Sequence, residues 1–538
     1  MLLVTALIAA ACGGGGGGDD DGGGGAQSPG VKDDATPQPG GTLTFGLESE
    51  TTGGFCTAEA QLAGAGIAVA QAMYDQLAAD DENYDPQPYL AASIEPSADF
   101  LTWTITLREG ITFHDGSPLT ADVVKLNMDL WVGDQAAVAA TGRSPLLFPL
   151  VFANIDTITA TDPLTVTVTM KEPWVAFDSY LSSGRFVIAG EAQLMSEDCS
   201  ENMIGTGPFK LDKWTRNQQM ELSKFDGYWR TDADGVQLPY LDKLIFKPID
   251  GGVNRFQALE AGSIDSGQFS TVSVFQDIED QPDDFSLVLE QPGHREVGYG
   301  LINVAKAPLD DIEVRKNMAL AIDREAINDI SNNGQFDIAD QPFDSDVMGF
   351  VDGLVLTDYD PDTAADYFAD KNVAISLSYA TDPNTKAVAE DIQRQLGDVG
   401  VEVSIDEKDQ STLINQALTG DFNVLLWRNH PGGDPDQNYV WWHSSMPTNF
   451  GKINDPEMDA LLDQGRSEAD EATRVEVYEQ ISERFASEGY NLWNWYTQWG
   501  FGSTNNVHQL GYYTLPDGTV GSGMNWGWTL WPEVWVEQ

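Results

Sequence analysis

The sequence predicts a large α/β protein built in several lobes, and three observations lead there. The chain has 538 residues, and at about 150 residues per domain that length allows roughly three to four lobes. Segments such as Leu101–Leu107 and Leu164–Met170 alternate apolar residues with Thr and read as half-buried strands. Between such segments lie others with apolar residues at helical spacing, and strands alternating with helices indicate an α/β architecture. Hydrophobic residues make up 41% and aromatics 10% of the chain, enough apolar surface for sizeable cores and too much for a disordered chain.

The elements follow in order. Gly40 to Glu48 reads as a first strand, with Leu43 and Phe45 alternating with Thr. Gln61 to Leu77 is Ala-rich and places Ile67, Ala70 and Tyr74 on one helical face. Leu101–Leu107 is a strand, and Thr120 to Trp131 is a helix with Thr120 as its N-cap. Leu164–Met170 is a further strand. The turn Gly205–Phe209 leads into strands at Met220–Phe225 and Leu241–Phe246, and Val253–Ala261 is a short helix. Glu296–Val304 is extended. Pro308 to Ile330 holds two helices with Asp310 and Asp323 as starts.

Pro361 to Glu407 is the clearest βαβ unit. Val373–Tyr379 is a strand, Asp382-Pro383 opens a helix, and Val388, Ile392, Leu396 and Val399 line one face of it. Gly400 stops the helix and Val401–Ile405 follows as a strand. Phe422–Trp427 is an apolar strand, Asp455–Gly465 and Asp470–Ser487 are amphipathic helices, and the Trp-rich tail from Asn491 to Gln538 reads as strand-like. No internal repeat is evident.

Charge narrows the function. The chain carries 28 Lys and Arg against 85 Asp and Glu, a net charge of -57. Such a surface repels phosphate backbones, which argues against a nucleic-acid partner. No apolar run reaches the roughly 18–20 residues that span a bilayer. The sequence has no G-x-S-x-G elbow, P-loop or dinucleotide fingerprint. His114, His294, His430, His443 and His508 form no H-x-x-x-H pair, so neither a cofactor nor a protein-only metal site is expected.

The amino terminus reads as an address. Met1–Ala11 is apolar and ends in small residues before Cys12. It resembles a bacterial lipoprotein signal with Ala9-Ala10-Ala11-Cys12 as the lipobox, although Ala9 stands where Leu is preferred and no Lys or Arg precedes the apolar run. Residues 1–12 are then signal and lipidated Cys12, and 13–39 a Gly/Asp-rich flexible tether. Cys56 and Cys199 remain for the body. Export permits a disulfide between them; two separate buried thiols are the alternative.

Four stretches carry a family resemblance. They are Tyr84-Asp-Pro86 through Trp103–Arg108 to Gly110–Val123; Gly205–Leu211 with Trp214, Tyr228 and Trp229; Leu241–Phe246 with Arg255, Ala258–Gly262 and Asp265; and Asp311–Arg315 to Ala321–Ile327. In this order they resemble the extracytoplasmic solute-binding proteins of the peptide/nickel ABC-importer class, family 5. The resemblance implies a two-lobed, periplasmic-binding-protein-like fold of the class II type with an extra subdomain. Lobe I would combine 40–80, 190–290 and 495–538; the subdomain would be 81–189 and lobe II 291–494. Strands near Glu296–Asn303 and Tyr496–Ser503 would cross between lobes as the hinge.

The function implied is capture of a peptide or peptide-like solute between closing lobes and delivery to an ABC permease. The protein would be a monomer, attached to the outer face of the cytoplasmic membrane only through its lipid. In related peptide binders a Trp, two residues, then an Asp follow the strand corresponding to Phe422–Trp427, and that Asp pairs with the peptide's amino terminus. Here Trp427 matches, but His430 holds the Asp position and Asp434 is displaced downstream. An ammonium is poorly served by a neutral imidazole. The candidate ligand-binding residues are therefore Glu48, Trp427, Arg428, His430, Asp434 and Trp441. A non-peptide solute, either an oligosaccharide or chelated nickel, is the alternative ligand, and a secreted hydrolase is the rival class.

Overall fold

The computed structural model describes residues 35–538 except 52, 61, 146, 355–357 and 382. Cys12, the signal segment, the tether up to residue 34 and the Asp382 cap lie outside the described residues. The rest forms a mixed α/β protein of two lobes, each built on its own sheet, with a smaller third sheet beside them.

The first sheet has seven strands in the order Phe285–Leu289, Gly500–Thr504, Ser266–Phe269, Thr42–Leu47, Lys243–Pro248, Gln219–Lys224 and Phe209–Thr215. Thr42–Leu47 pairs parallel with both of its neighbours, and Leu43 and Phe45 on its inner face are fully buried. Phe45, Phe246 and Trp531 pack edge to face there, which places the carboxyl-terminal tail in this core. The helix Gly64–Met73 is buried along its whole length, because small Gly and Ala residues let it be covered on every side. Close approach explains Gly205: a Cβ there would lie 2.0 Å from the Met73 carbonyl oxygen.

The second sheet has five strands in the order Val401–Lys408, Val373–Ala380, Val424–Asn429, Glu296–Ile302 and Asn491–Thr497. Its first three strands pair parallel, as the βαβ reading requires, and the helix Pro383–Asp398 connects the first two. Val388, Ile392, Leu396 and Val399 are buried on the face the spacing predicted. The third sheet is antiparallel, in the order Ala91–Pro96, Thr102–Leu107, Thr165–Met170 and Ile155–Asp162. Trp103, Ile105, Leu107, Val166, Val168 and Met170 fill one face while the Thr side chains take the other. The helix Ala121–Trp131 covers it, and Thr120 accepts the Val123 N–H as its cap.

Two readings need correction. The helix Ile312–Leu320 is capped by Asp311, whose carboxylate accepts the Glu313 N–H, rather than by Asp310. The tail is strand only at Asn491–Thr497, Gly500–Thr504, Val507–His508 and Trp535–Val536. Between the last two it runs as turns, because Gly and Pro interrupt it and its tryptophans are buried by packing rather than by strand alternation. Cys56 and Cys199 are joined by a disulfide.

Candidate functional site: the junction of the two lobes

The chain passes between the large sheets twice, at 290–295 and at 498–499. The two passages hold each other: Glu290 N–H donates to the Trp499 carbonyl at 2.9 Å, and Gln498 Nε2 donates to the Glu290 carbonyl at 2.7 Å. Beside them Arg295 forks onto Asp344, Nε to Oδ2 at 2.8 Å and Nη2 to Oδ1 at 3.1 Å. The two crossings thus form one hydrogen-bonded unit between the sheets.

Charged side chains gather around the crossings. Glu296 Oε2 accepts from Trp499 Nε1 at 3.2 Å and faces Arg428 Nη1 at 3.3 Å. Burial raises the Glu296 pKa, the Arg428 charge opposes that, and Glu48 adds repulsion. Arg428 also lies over the Trp499 ring at 5.3 Å, with 43% of its side chain exposed. Glu290 takes the Trp526 N–H on Oε1, while Oε2 is buried with no hydrogen bond among the described residues. Burial holds its carboxyl well above the usual range, with repulsion from Glu296 adding to it and the Trp526 N–H and Arg295 opposing.

Trp526 forms a second centre. The His430 ring stacks on it at 5.4 Å and 24°, and the Arg185 guanidinium lies over it at 5.0 Å. His430 Nδ1 accepts the Gly432 N–H at 3.0 Å. Burial pushes the His430 pKa down to about 3, and the His294 and Arg185 charges push the same way. The imidazole is therefore neutral at any physiological pH. Arg185 donates from Nε to the Leu62 carbonyl at 3.1 Å, and burial lowers its pKa to about 10. His294, next along, stacks on Tyr84 at 3.9 Å and 12°.

Asp434 is already paired, receiving Arg474 Nη1 and Nη2 at 2.6 Å each while capping the turn Pro435–Asn438. Its carboxylate is occupied rather than open to a ligand ammonium. Trp427 and Trp441 flank Phe450 at 5.9 and 5.5 Å, and both are half-buried. Two residues on, Asp436 is fully buried and receives Arg466 from its own lobe together with Trp174 Nε1 at 2.7 Å and Tyr180 Oη at 3.1 Å.

Residues 85–450 match the bacterial extracellular solute-binding proteins, family 5 middle region. The chain belongs to this family. A full-length relative is the glutathione-binding protein GsiB of Pectobacterium atrosepticum, 25% identical over 472 residues, covering 84% of this chain and 87% of the relative. GsiB of Escherichia coli O1:K1 is 30% identical over 262 residues, about half of each chain (48%). In structure the chain resembles Helicobacter pylori DppA in complex with the peptide STSA, with a TM-score of 0.82, 19% identity and coverage of 93% and 99%. It also resembles Bacillus subtilis AppA in complex with a nonapeptide, with a TM-score of 0.79, 20% identity and coverage of 94% and 100%.

This family 5 member is thus a solute-binding protein of an extracytoplasmic class and not an enzyme. No helix among its described residues is long and apolar enough to cross a membrane. The structure brings Glu48, Arg428 and His430 to the lobe junction, keeps Trp427 and Trp441 on an aromatic ledge with Phe450, and commits Asp434 to Arg474. Sequence reasoning missed Arg185, Glu296, Asp436, Arg466 and Trp526. Each stands in an unremarkable local sequence, and its neighbours come from segments 30 or more residues away. A buried arginine beside a turn carries no periodic signal that would single it out.

Proposed function

We propose that the protein is a lipid-anchored receptor that closes around a peptide or peptide-like solute and hands it to an ABC permease. The observation that carries the reading is the junction itself. Trp526 from the tail, Arg185 from the segment beside the antiparallel sheet and His430 from the five-stranded lobe meet on one indole. Contacts from separate bodies that converge only in the closed arrangement let a ligand shift the open–closed population. The named ligands of the relatives, glutathione and short peptides, support a peptide-like solute. Lobe I as 40–80, 190–290 and 495–538, the subdomain as 81–189 and lobe II as 291–494 is the division we propose. Cys12 is the proposed lipidation site, and the tether lets a loaded body reach a permease in the same membrane.

Mass spectrometry of ligand released from the purified, denatured protein tests this. A peptide or peptide conjugate, whose addition back raises the melting temperature without being cleaved, supports it. Hydrolysis of the added peptide, or release of a sugar alone, overturns it.

A further inference from the structure

The polarity of the Trp526 centre can be read from its hydrogen bonds. A neutral imidazole carries one proton. His430 Nδ1 accepts from Gly432 N–H, so the proton is on Nε2. That Nε2–H is buried; it interacts with the His294 backbone but makes no hydrogen bond of regular geometry among the described residues. A buried donor served by a poorly placed acceptor gains from a better one.

The neighbouring group is also a donor. Among the described residues the Arg185 guanidinium makes one hydrogen bond, from Nε to Leu62 O, and both Nη groups lack a protein acceptor. The carboxyls near it are otherwise engaged. Glu296 serves Trp499 and Arg428, and Glu290 takes the Trp526 backbone N–H. Both donors stack on the same indole and lie close enough for the Arg185 charge to act on His430.

We propose that His430 Nε2–H and the Arg185 guanidinium form one acceptor-binding subsite that holds a carboxylate of the solute against Trp526. It rests on the solute-receptor reading above and sharpens it: the solute is anchored here by an acid group, not by an ammonium. A guanidinium matches a planar carboxylate with two parallel N–H bonds, and the imidazole N–H completes its lone pairs. Because His430 and Arg185 come from different bodies, the carboxylate bridges them and favours closure.

Two measurements decide it. Selective 15N-histidine labelling of the full chain, with His430→Gln to assign the signal, reads the tautomer directly. The Nε2–H form, unchanged from pH 5 to 8, is expected; an Nδ1–H form or a midpoint near 6 to 7 overturns the proposal whatever the ligand. The second is thermal-shift titration with three tripeptide pools: unmodified, N-acetylated and C-amidated. The acetylated pool is expected to bind within about threefold of the unmodified one, the amidated pool at least about tenfold more weakly, and Arg185→Gln to remove that difference. Loss on acetylation with retention on amidation overturns the subsite while leaving the receptor intact. If no pool binds, the peptide reading falls and the tautomer alone decides the subsite.

Discussion

Arg466 grips Asp436 through two parallel bonds, Nε to Oδ1 at 2.9 Å and Nη2 to Oδ2 at 3.0 Å, and both side chains are buried. Trp174 Nε1 and Tyr180 Oη come onto the same carboxylate from another segment, and Gln437 Nε2 donates to the Ser179 carbonyl at 2.9 Å. The pair thus ties the five-stranded lobe to the segment beside the antiparallel sheet. Removing one partner leaves an uncompensated buried charge, which typically costs about 3–5 kcal/mol. Asp436→Ala is expected to lose that much in urea denaturation. A loss below about 1 kcal/mol would show that water or a rearranged neighbour takes over Arg466.

The same region predicts a pH dependence. Burial raises the Asp80 carboxyl to about 8, with Asp81, Asp178 and Asp85 repelling it and Ser182 opposing. Burial likewise raises Asp178 to about 7, with repulsion from Asp434 offset by Arg474. A carboxyl whose folded pKa lies above its unfolded value supports the fold below the unfolded value, near 4, and loses that support as pH rises toward 7–8. Melting temperature should therefore decline between pH 5 and 8 through these groups. Asp80→Asn is expected to match the parent at pH 5 and exceed its stability at pH 8 by on the order of 1–2 kcal/mol. An unchanged slope in Asp80→Asn and Asp178→Asn would remove both groups from the account.

The Cys56–Cys199 disulfide links residues 143 apart in the chain. A cross-link closing a long loop restricts the unfolded chain, and loss of a native disulfide typically costs about 2–5 kcal/mol. The double variant Cys56→Ala/Cys199→Ala is expected to unfold at correspondingly lower urea, and the parent should shift to the same midpoint when reductant is added. Equal midpoints with and without reductant in the parent would contradict this.

Trp427 leaves part of its surface open while resting on Phe450. We expect Trp427→Ala to weaken solute affinity by roughly tenfold at a stability cost of about 1–3 kcal/mol, below the 3–5 kcal/mol of a fully buried indole. Calorimetric titration with the solute identified by mass spectrometry, set beside urea denaturation, separates the two. A stability loss as large as that of a buried indole with affinity unchanged would place Trp427 in the core alone.

Much of the fold was legible because its elements announce themselves locally. Leu101–Leu107 and Leu164–Met170 alternate with Thr, and both are strands with the apolar set buried. The Val388–Val399 stripe followed by Gly400 marked a helix between two parallel strands. Asp455 and Asp470 do cap the helices they precede. The tail was the exception. Its tryptophans read as strand, yet Trp531 is buried by donating Nε1 to the Ala68 carbonyl, a partner 463 residues away.

The site divides along the same line. By itself the sequence determined the family and the strand that carries Trp427, since these depend only on which residue follows which. Tertiary structure alone decided that Asp434 belongs to Arg474, that Glu296 and Arg428 meet over Trp499, and that Arg185 joins His430 at Trp526. The physical reason is range. Caps, strand alternation and helical stripes arise between residues a few positions apart, whereas a charge finds its partner through the three-dimensional path of the whole chain. In a protein with 85 acids, composition offers every arginine many partners, and only the packed fold shows which carboxylate each one meets.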